Sequence, residues 1–101
     1  MIPDELSINT IKKVYQQIKP YINTTPLIKA NDFIDETLSS NIYLKYECFQ
    51  KSGSFKARGA INNILSSSEK DLENGITAVS AGNHAIAASY AANIFNLKNK
   101  I

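Results

Sequence analysis

The sequence has 101 residues, 44% of them hydrophobic, and 11 basic against 9 acidic side chains give a formal net charge of +2. This length suits one small domain, and the even spread of charge excludes a nucleic-acid footprint and a polybasic membrane anchor. A single cysteine excludes an internal disulfide, and no apolar run approaches a membrane span, so we expect a cytoplasmic protein that does not bind nucleic acid or membrane.

The first predicted element is an amphipathic helix over residues 7–19, where apolar side chains recur at helical spacing behind a possible Ser7 cap. A proline then ends the pattern. The segment NTTPL (23–27) predicts an extended turn, because the residue before a proline is pushed out of the helical region, and LIKA after it predicts a short strand. Alternating residues in NIYLKYE (41–47) predict a second strand with one buried face.

The rest of the chain alternates helices and strands. A stripe of small and aliphatic residues predicts a helix from residue 54 onward, and Asn-Gly at 74–75 ends that region. ITAV (76–79) predicts a short apolar strand, AIAASYAANIF (85–95) a helix buried on several sides, and LKNKI the approach to another strand. The predicted helical stripe consists of Ala57, Ala60, Ile61, Ile64 and Leu65.

This order of elements predicts an α/β fold, a three-layer sandwich with a largely parallel sheet. The last helix is apolar nearly all round and needs more cover than the rest of the chain supplies. We therefore expect residues 1–101 to form a single incomplete domain, the N-terminal part of a larger protein.

Two turns that lead from a strand into a helix carry the candidate functional residues. The turn from Gly53 to Lys56 places a lysine at the start of a helix, and the turn from Ser80 to His84 offers backbone N–H groups, a hydroxyl and the Asn83 amide. Ligands of open α/β sheets bind at the carboxyl ends of strands, and helix N-termini attract anions. We expect the two turns to face one crevice and the second turn to suit a carboxylate.

Each of these residues also has a structural explanation. Lys56 can be a phosphate-binding charge, a Schiff-base nucleophile or a solvated surface residue, and its local composition favours the surface residue. A phosphate loop is excluded by the spacing of its glycines. His84 can be a polar helix-start residue and Asn83 a cap. Arg58 can be a surface ion-pair former, and Cys48 a small buried hydrophobe.

Three motifs resemble one enzyme family. LKYECFQKSGSFKARGA (44–60) resembles the lysine motif of the fold type II pyridoxal-phosphate enzymes, the tryptophan-synthase-β type, in their branch of threonine/serine dehydratases and serine racemases. SAGNHA (80–85) resembles the asparagine loop of this branch, and TTPL (24–27) its N-terminal turn. The order and spacing also match, over nearly the whole chain. The matching residues of the first motif are Leu44, Lys45, Glu47, Gln50, Gly53, Ser54, Phe55, Lys56, Arg58, Gly59 and Ala60.

The resemblance implies a role for each turn. Lys56 would hold pyridoxal 5′-phosphate as an imine, Phe55 would pack near the ring, and Asn83 would donate a hydrogen bond to the ring's 3-oxygen. The second turn would receive the carboxylate of a small amino-acid substrate. The implied reaction is β-elimination of threonine or serine to a 2-oxo acid and ammonia, by a homo-oligomer and without a metal. The implied substrate-binding residues are Ser80, Ala81, Gly82, Asn83 and His84.

Two differences from the family refine these expectations. Serine racemases read Ser-Ser-Gly-Asn-His at this loop, with the second serine as a base, whereas this chain has Ala81, whose methyl group cannot relay a proton. Elimination is therefore favoured over a serine racemase-like reaction. The family's glycine-rich phosphate loop is not found in these 101 residues, so we predict little or no activity for this stretch alone. A non-catalytic remnant that only packs or binds a small anion is the other alternative.

Overall fold

The computed structural model describes residues 6–30 and 40–101, which contain four α-helices and four short strands. None of these helices combines the length and apolar character needed to cross a bilayer. The helices are α1 (Ile8–Ile18), α2 (Lys56–Ser66), α3 (Glu69–Leu72) and α4 (Asn83–Ile94). The strands are β1 (Leu27–Lys29), β2 (Tyr43–Lys45), β3 (Ile76–Thr77) and β4 (Asn99–Lys100). Short 3₁₀ turns lie at Lys19–Tyr21, Glu47–Phe49 and Lys51–Gly53.

Helix α1 forms where the sequence predicts it. The Ser7 hydroxyl caps the helix by accepting a hydrogen bond from the Thr10 amide at 3.2 Å, and a 3₁₀ turn that contains a proline follows its end. Ile18 is buried, while Ile8 and Ile11 are 62% and 53% exposed. Only the C-terminal half of the apolar stripe therefore packs against the rest of the described chain.

The strands form two separate two-stranded ladders within the described residues. In the first, β1 and β2 pair antiparallel, with Ile28 opposite Leu44. In the second, β3 and β4 pair in parallel, with Ile76 opposite Asn99, and α4 supplies the long connection that parallel strands require. The predicted α/β class is confirmed. The antiparallel pair is a feature that the strand pattern does not predict, because alternation reports burial and not strand direction.

Two of the predicted strands, at 41–47 and 76–79, are much shorter than their sequence patterns. The pattern at 41–47 yields a three-residue strand, and the pattern at 76–79 yields a two-residue strand. Val79 has a fully exposed side chain. Each ladder in the described part of the chain has only two strands, so each strand has a single hydrogen-bonded neighbour. The apolar sequence pattern therefore extends beyond the residues that are paired.

The hydrophobic core lies between α1, α2 and α4. It is built from Ile18 of α1, Ala91 of α4 and three residues of the predicted α2 stripe, of which Ile61 is fully buried. Leu65, the last residue of that stripe, is 38% exposed and lies outside this core. The buried face of α4 carries only alanines, whose small side chains allow α2 and α4 to approach closely. This packing fixes the starts of α2 and α4 relative to each other.

Helix α3 is an element that the sequence analysis did not predict. The Ser68 hydroxyl accepts a hydrogen bond from the Asp71 amide at 3.2 Å, and the Asp71 carboxylate accepts one from the Ser68 amide at 3.3 Å. This reciprocal pair is a capping box, and the spacing of Ser68 and Asp71 is the signal that could have revealed the helix. The bonds from Ser68 also lower the pKa of Asp71.

Gly75 closes the turn before β3 with a φ of +85°, a left-handed conformation. A Cβ atom at this position would lie 2.8 Å from the Lys98 carbonyl carbon and would overlap the carbonyl oxygen that accepts the Ile76 amide hydrogen bond. We therefore expect Gly75→Ala to lower the free energy of unfolding by about 2–4 kcal/mol, from backbone strain together with overlap.

Gly53→Ala is the matched control for this substitution. Gly53 also has a left-handed φ, +74°, but a Cβ there would meet nothing within 4 Å. Gly53→Ala should lower the free energy of unfolding by about 1 kcal/mol, from backbone strain alone. Thermal and urea unfolding of the complete protein, followed by circular dichroism, measures both changes. Equal losses for the two variants would show that the Lys98 carbonyl does not restrict this turn.

Candidate active site

Lys56 is the first residue of α2, so its position depends on the reversal of the chain just before the helix. Ser52 and Gly53 both lie in the left-handed region, with φ values of 60° and 74°. Glycine adopts this conformation freely, whereas a serine is strained there. The buried Ser54 then accepts a hydrogen bond from the Lys56 amide at 3.4 Å through its hydroxyl. The Ser-Gly-Ser segment thus turns the chain into α2.

Lys56 lies on the wall of an open cleft of about 510 Å³. Its side chain is exposed, and its Nζ atom lies 5.3 Å from the centre of the Phe55 ring. His84, the second residue of α4, lines the same cleft, as does Ala78 just after β3. The cleft therefore brings together Lys56, Phe55 and His84 from the two predicted turns.

The second turn lies beside this cleft and leads into α4. His84 is part of the cleft wall, but Ser80, Ala81, Gly82 and Asn83 are not. The Gly82 amide donates a hydrogen bond to the Ser80 hydroxyl at 3.2 Å, so one of the predicted ligand donors is used inside the turn. No side chain caps α4, which begins at Asn83. An uncapped helix N-terminus carries partial positive charge and suits an anionic group.

An ion pair braces the first turn of α2. Arg58 donates from Nε and Nη2 to the two carboxylate oxygens of Glu47, both at 2.8 Å. The buried Thr25 donates its hydroxyl to Glu47 at 2.6 Å, and Lys45 donates from Nζ to the Thr25 carbonyl at 2.8 Å. Arg58 is thus an ion-pair former, as predicted, but a half-buried one. The two bonds of Thr25, with Glu47 and with Lys45, join the lysine motif to the turn at 24–27.

A second group of hydrogen bonds holds the segment before Lys56. Gln50, which is buried, accepts from the Asn23 amide at 2.8 Å and donates to the Asn23 carbonyl at 2.9 Å. Asn23 also donates from its side chain to the Phe49 carbonyl at 3.0 Å. The sequence patterns predict no role for Gln50 or Glu47 beyond their match to the lysine motif. Their occurrence as polar residues inside a recognisable motif was the available signal, but their partners are distant in sequence.

Cys48 lies in the 3₁₀ turn Glu47–Phe49 and is exposed, so the prediction of a buried hydrophobe is wrong. The turn directs Glu47 toward Arg58 and leaves the next side chain facing solvent.

Within residues 6–30 and 40–101, no group of three or more His, Cys, Asp or Glu side chains could hold a metal ion.

The ion pair predicts an acid-dependent loss of stability. Hydrogen bonds from the Arg58 guanidinium lower the pKa of Glu47 from 4.5 to about 2. A lowered pKa in the folded state stabilises the fold above the unfolded-state pKa, and this contribution disappears as the pH falls from about 4.5 toward 2. We expect Glu47→Gln to cost on the order of 2 kcal/mol at pH 7. The difference in thermal midpoint between wild type and variant should become small as the pH falls through about 2. A difference that stays constant with pH would contradict this origin.

Comparison with known proteins finds matches that cover most of the chain. The family model described as "Pyridoxal-phosphate dependent enzyme" matches residues 18–101. A serine racemase from Dictyostelium discoideum is 40% identical over 89 residues, and a catabolic L-threonine dehydratase from Staphylococcus aureus is 39% identical over 92 residues. These matches cover 88% and 91% of this chain. The chain spans 27% of the length of each of these two relatives.

A solved structure shows the same arrangement of the backbone. The serine racemase from Dictyostelium discoideum superposes with a TM-score of 0.80 at 40% identity. The superposition covers 92% of this chain and 30% of that structure's chain. The elements that carry the cleft therefore have the arrangement found in a much longer enzyme.

Proposed function

Because the chain belongs to the family of pyridoxal-phosphate dependent enzymes, we propose that it forms the lysine-bearing part of an enzyme that deaminates threonine or serine. The reaction removes the Cα proton and the Cβ hydroxyl as water, and hydrolysis of the resulting enamine gives a 2-oxo acid and ammonia. The observation that carries the proposal is the cleft shared by the Lys56 amine, Phe55 and the start of α4 at His84.

The residues on the cleft fit pyridoxal phosphate. The cleft volume of about 510 Å³ lies within the usual range for small-molecule sites. Gly59 lines the same wall one helical turn after Lys56, and a Cβ atom added to it would meet nothing within 4 Å. Open space therefore lies beside the lysine, where a flat ring needs room. Lys56 would hold the cofactor covalently, and Phe55 would pack near its ring.

The chemistry follows from the groups around the cleft. Pyridoxal phosphate, when bound, supplies an electron-accepting ring next to the substrate's Cα. We assign the Lys56 amine to remove the Cα proton and pass it to the departing Cβ hydroxyl, because an amine positioned at the reacting carbon can act as a general base and then as a general acid. The uncapped N-terminus of α4 would bind the substrate carboxylate, with Ser80 and His84 beside it. The Asn83 amide would orient the ring oxygen.

Serine racemisation is the second candidate, favoured by the 40% identity to the serine racemase from Dictyostelium discoideum. Racemisation needs a proton donor on the side of Cα opposite the lysine. The resemblance to serine racemases implies a serine at the position of Ala81, and the alanine methyl group cannot donate a proton. This residue supports elimination as the main reaction.

The test is an assay of the complete gene product with pyridoxal phosphate and either L-threonine or L-serine. We expect a cofactor absorbance band that borohydride removes, together with formation of a 2-oxo acid and an equal amount of ammonia. Chiral chromatography of the remaining serine measures racemisation in the same samples. A purified protein that binds the cofactor but forms neither a 2-oxo acid nor D-serine would contradict both candidates and favour a non-catalytic role.

A further inference from the structure

The Glu47–Arg58 pair lies away from the cleft that contains Lys56. Lys56 and Arg58 are two positions apart on α2, so their side chains leave the helix in directions about 160° apart. Lys56 lines the 510 Å³ cleft, whereas Arg58 lines two other clefts, of about 350 and 460 Å³. Arg58 is therefore placed to influence the cleft only through its neighbours.

Phe55 connects the two sides of the helix. Its side chain lines the Lys56 cleft and also the 350 Å³ cleft that contains Glu47 and Arg58. The Arg58 amide donates a hydrogen bond to the Phe55 carbonyl at 3.1 Å, and the Lys56 amine lies 5.3 Å from the Phe55 ring centre. Phe55 therefore adjoins both the ion pair and the lysine.

Glu47 is itself held in place by a separate part of the chain. It accepts a 2.6 Å hydrogen bond from Thr25, which is only 4% exposed, and the Thr25 carbonyl is bound by Lys45 at the end of β2. The carboxylate therefore cannot simply follow Arg58 if α2 turns about its axis. Two parallel bonds from a planar guanidinium restrain such a rotation, whereas a single point charge leaves it free.

We infer that Glu47 and Arg58 are positioning residues that set the direction in which the first turn of α2 presents the Lys56 amine to the cleft. The inference rests on the proposed function, in which that amine must meet the cofactor and the substrate in a defined geometry. A pair that only stabilises the fold would support α2 without affecting how Lys56 reacts, and this difference can be measured.

Arg58→Lys tests the inference because it keeps the positive charge and removes the two-bond fork. In the complete protein, we expect pyridoxal phosphate to attach to Lys56 about 10-fold more slowly, since small errors of position strongly slow reactions between bound groups. Borohydride trapping at successive times, followed by peptide mass spectrometry, gives this rate without any assay of activity. The same variant should lower kcat more than it raises KM.

Ile18→Val is the matched control. It removes one buried methyl group from the core that α1 shares with α2, at a cost of about 1 kcal/mol, and leaves the Glu47–Arg58 pair intact. Thermal midpoints of the two variants are measured to compare their losses of stability. We expect the control to attach the cofactor to Lys56 within about twofold of the wild-type rate.

A cofactor-independent measurement separates this inference from the proposed function. Acetic anhydride labels exposed amines, and its rate at Lys56 relative to Lys70 on α3 reports the surroundings of the lysine. If wild-type protein does not attach pyridoxal phosphate at Lys56, the proposed function fails, and a changed relative labelling rate in Arg58→Lys still supports the inference. Wild-type rates with both reagents in Arg58→Lys, despite a loss of stability equal to the control's, would overturn it.

Discussion

Lys56→Ala is expected to lower the deamination rate of the complete protein by about 10³-fold or more, because it removes the amine assigned both to hold the cofactor and to move the Cα proton. Borohydride should then trap no pyridoxyl group on the peptide that contains position 56. The fold should survive, since Lys56 is an exposed residue at the start of α2 and its Nζ atom lies 5.3 Å from the centre of the Phe55 ring, on the wall of an open cleft.

Lys70→Ala serves as the control for this experiment, because it removes an equally exposed lysine from α3. We expect wild-type activity and cofactor attachment from this variant. Absorbance spectra, trapped peptides and 2-oxo acid formation are measured for the three proteins side by side. An active Lys56→Ala enzyme, with its cofactor attached to another lysine, would refute the assignment of position 56.

Ala81→Ser is expected to raise the rate of serine racemisation by about 100-fold relative to elimination, since a positioned proton donor contributes on this scale. Ala81 is exposed in the turn before α4, so a hydroxyl can be added there without loss of packing. The Gly82 to Ser80 hydrogen bond that shapes the turn does not involve the Ala81 side chain. D-serine from L-serine is measured by chiral chromatography, and pyruvate is measured in the same samples.

Ala81→Val provides the comparison, because it enlarges the side chain without adding a group that carries a proton. We expect this variant to form no more D-serine than the wild type. An Ala81→Ser protein that retains elimination but forms no additional D-serine would show that the residue does not decide between the two reactions. The choice would then depend on other residues.

The sequence predicts those elements of the fold that depend on patterns among neighbouring residues. Helices α1 and α2 follow from apolar stripes of helical spacing, and β3 follows from a short apolar segment beside a turn. Strand β4 lies in LKNKI, which predicts the approach to a strand. Helix α3 is not predicted by hydrophobic periodicity, because it lies in a polar segment without an apolar stripe. Its signal is a capping box. The antiparallel pairing of β1 with β2 also could not be predicted, because strand direction depends on how distant segments meet.

The candidate site was only partly predictable for the same reason. The general rule that strands lead into ligand-binding helix starts was enough to expect Lys56 and His84 near one crevice. Which hydrogen-bond donors remain available to a ligand depends on the three-dimensional structure. The Gly82 amide, for example, already donates to the Ser80 hydroxyl of its own turn. The contacts of Glu47 with Thr25 and Arg58 cross 22 and 11 positions of the sequence, distances over which periodicity carries no information.

The hydrogen-bonded set around Glu47 also restricts how this segment can change during evolution. Loss of Glu47 alone would deprive both the Arg58 guanidinium and the Thr25 hydroxyl of their acceptor, and unpaired buried polar groups are costly. Single substitutions in the set should therefore be non-additive, with the second change costing less than the first. Across related genes, Thr25, Glu47 and Arg58 should be inherited or replaced together.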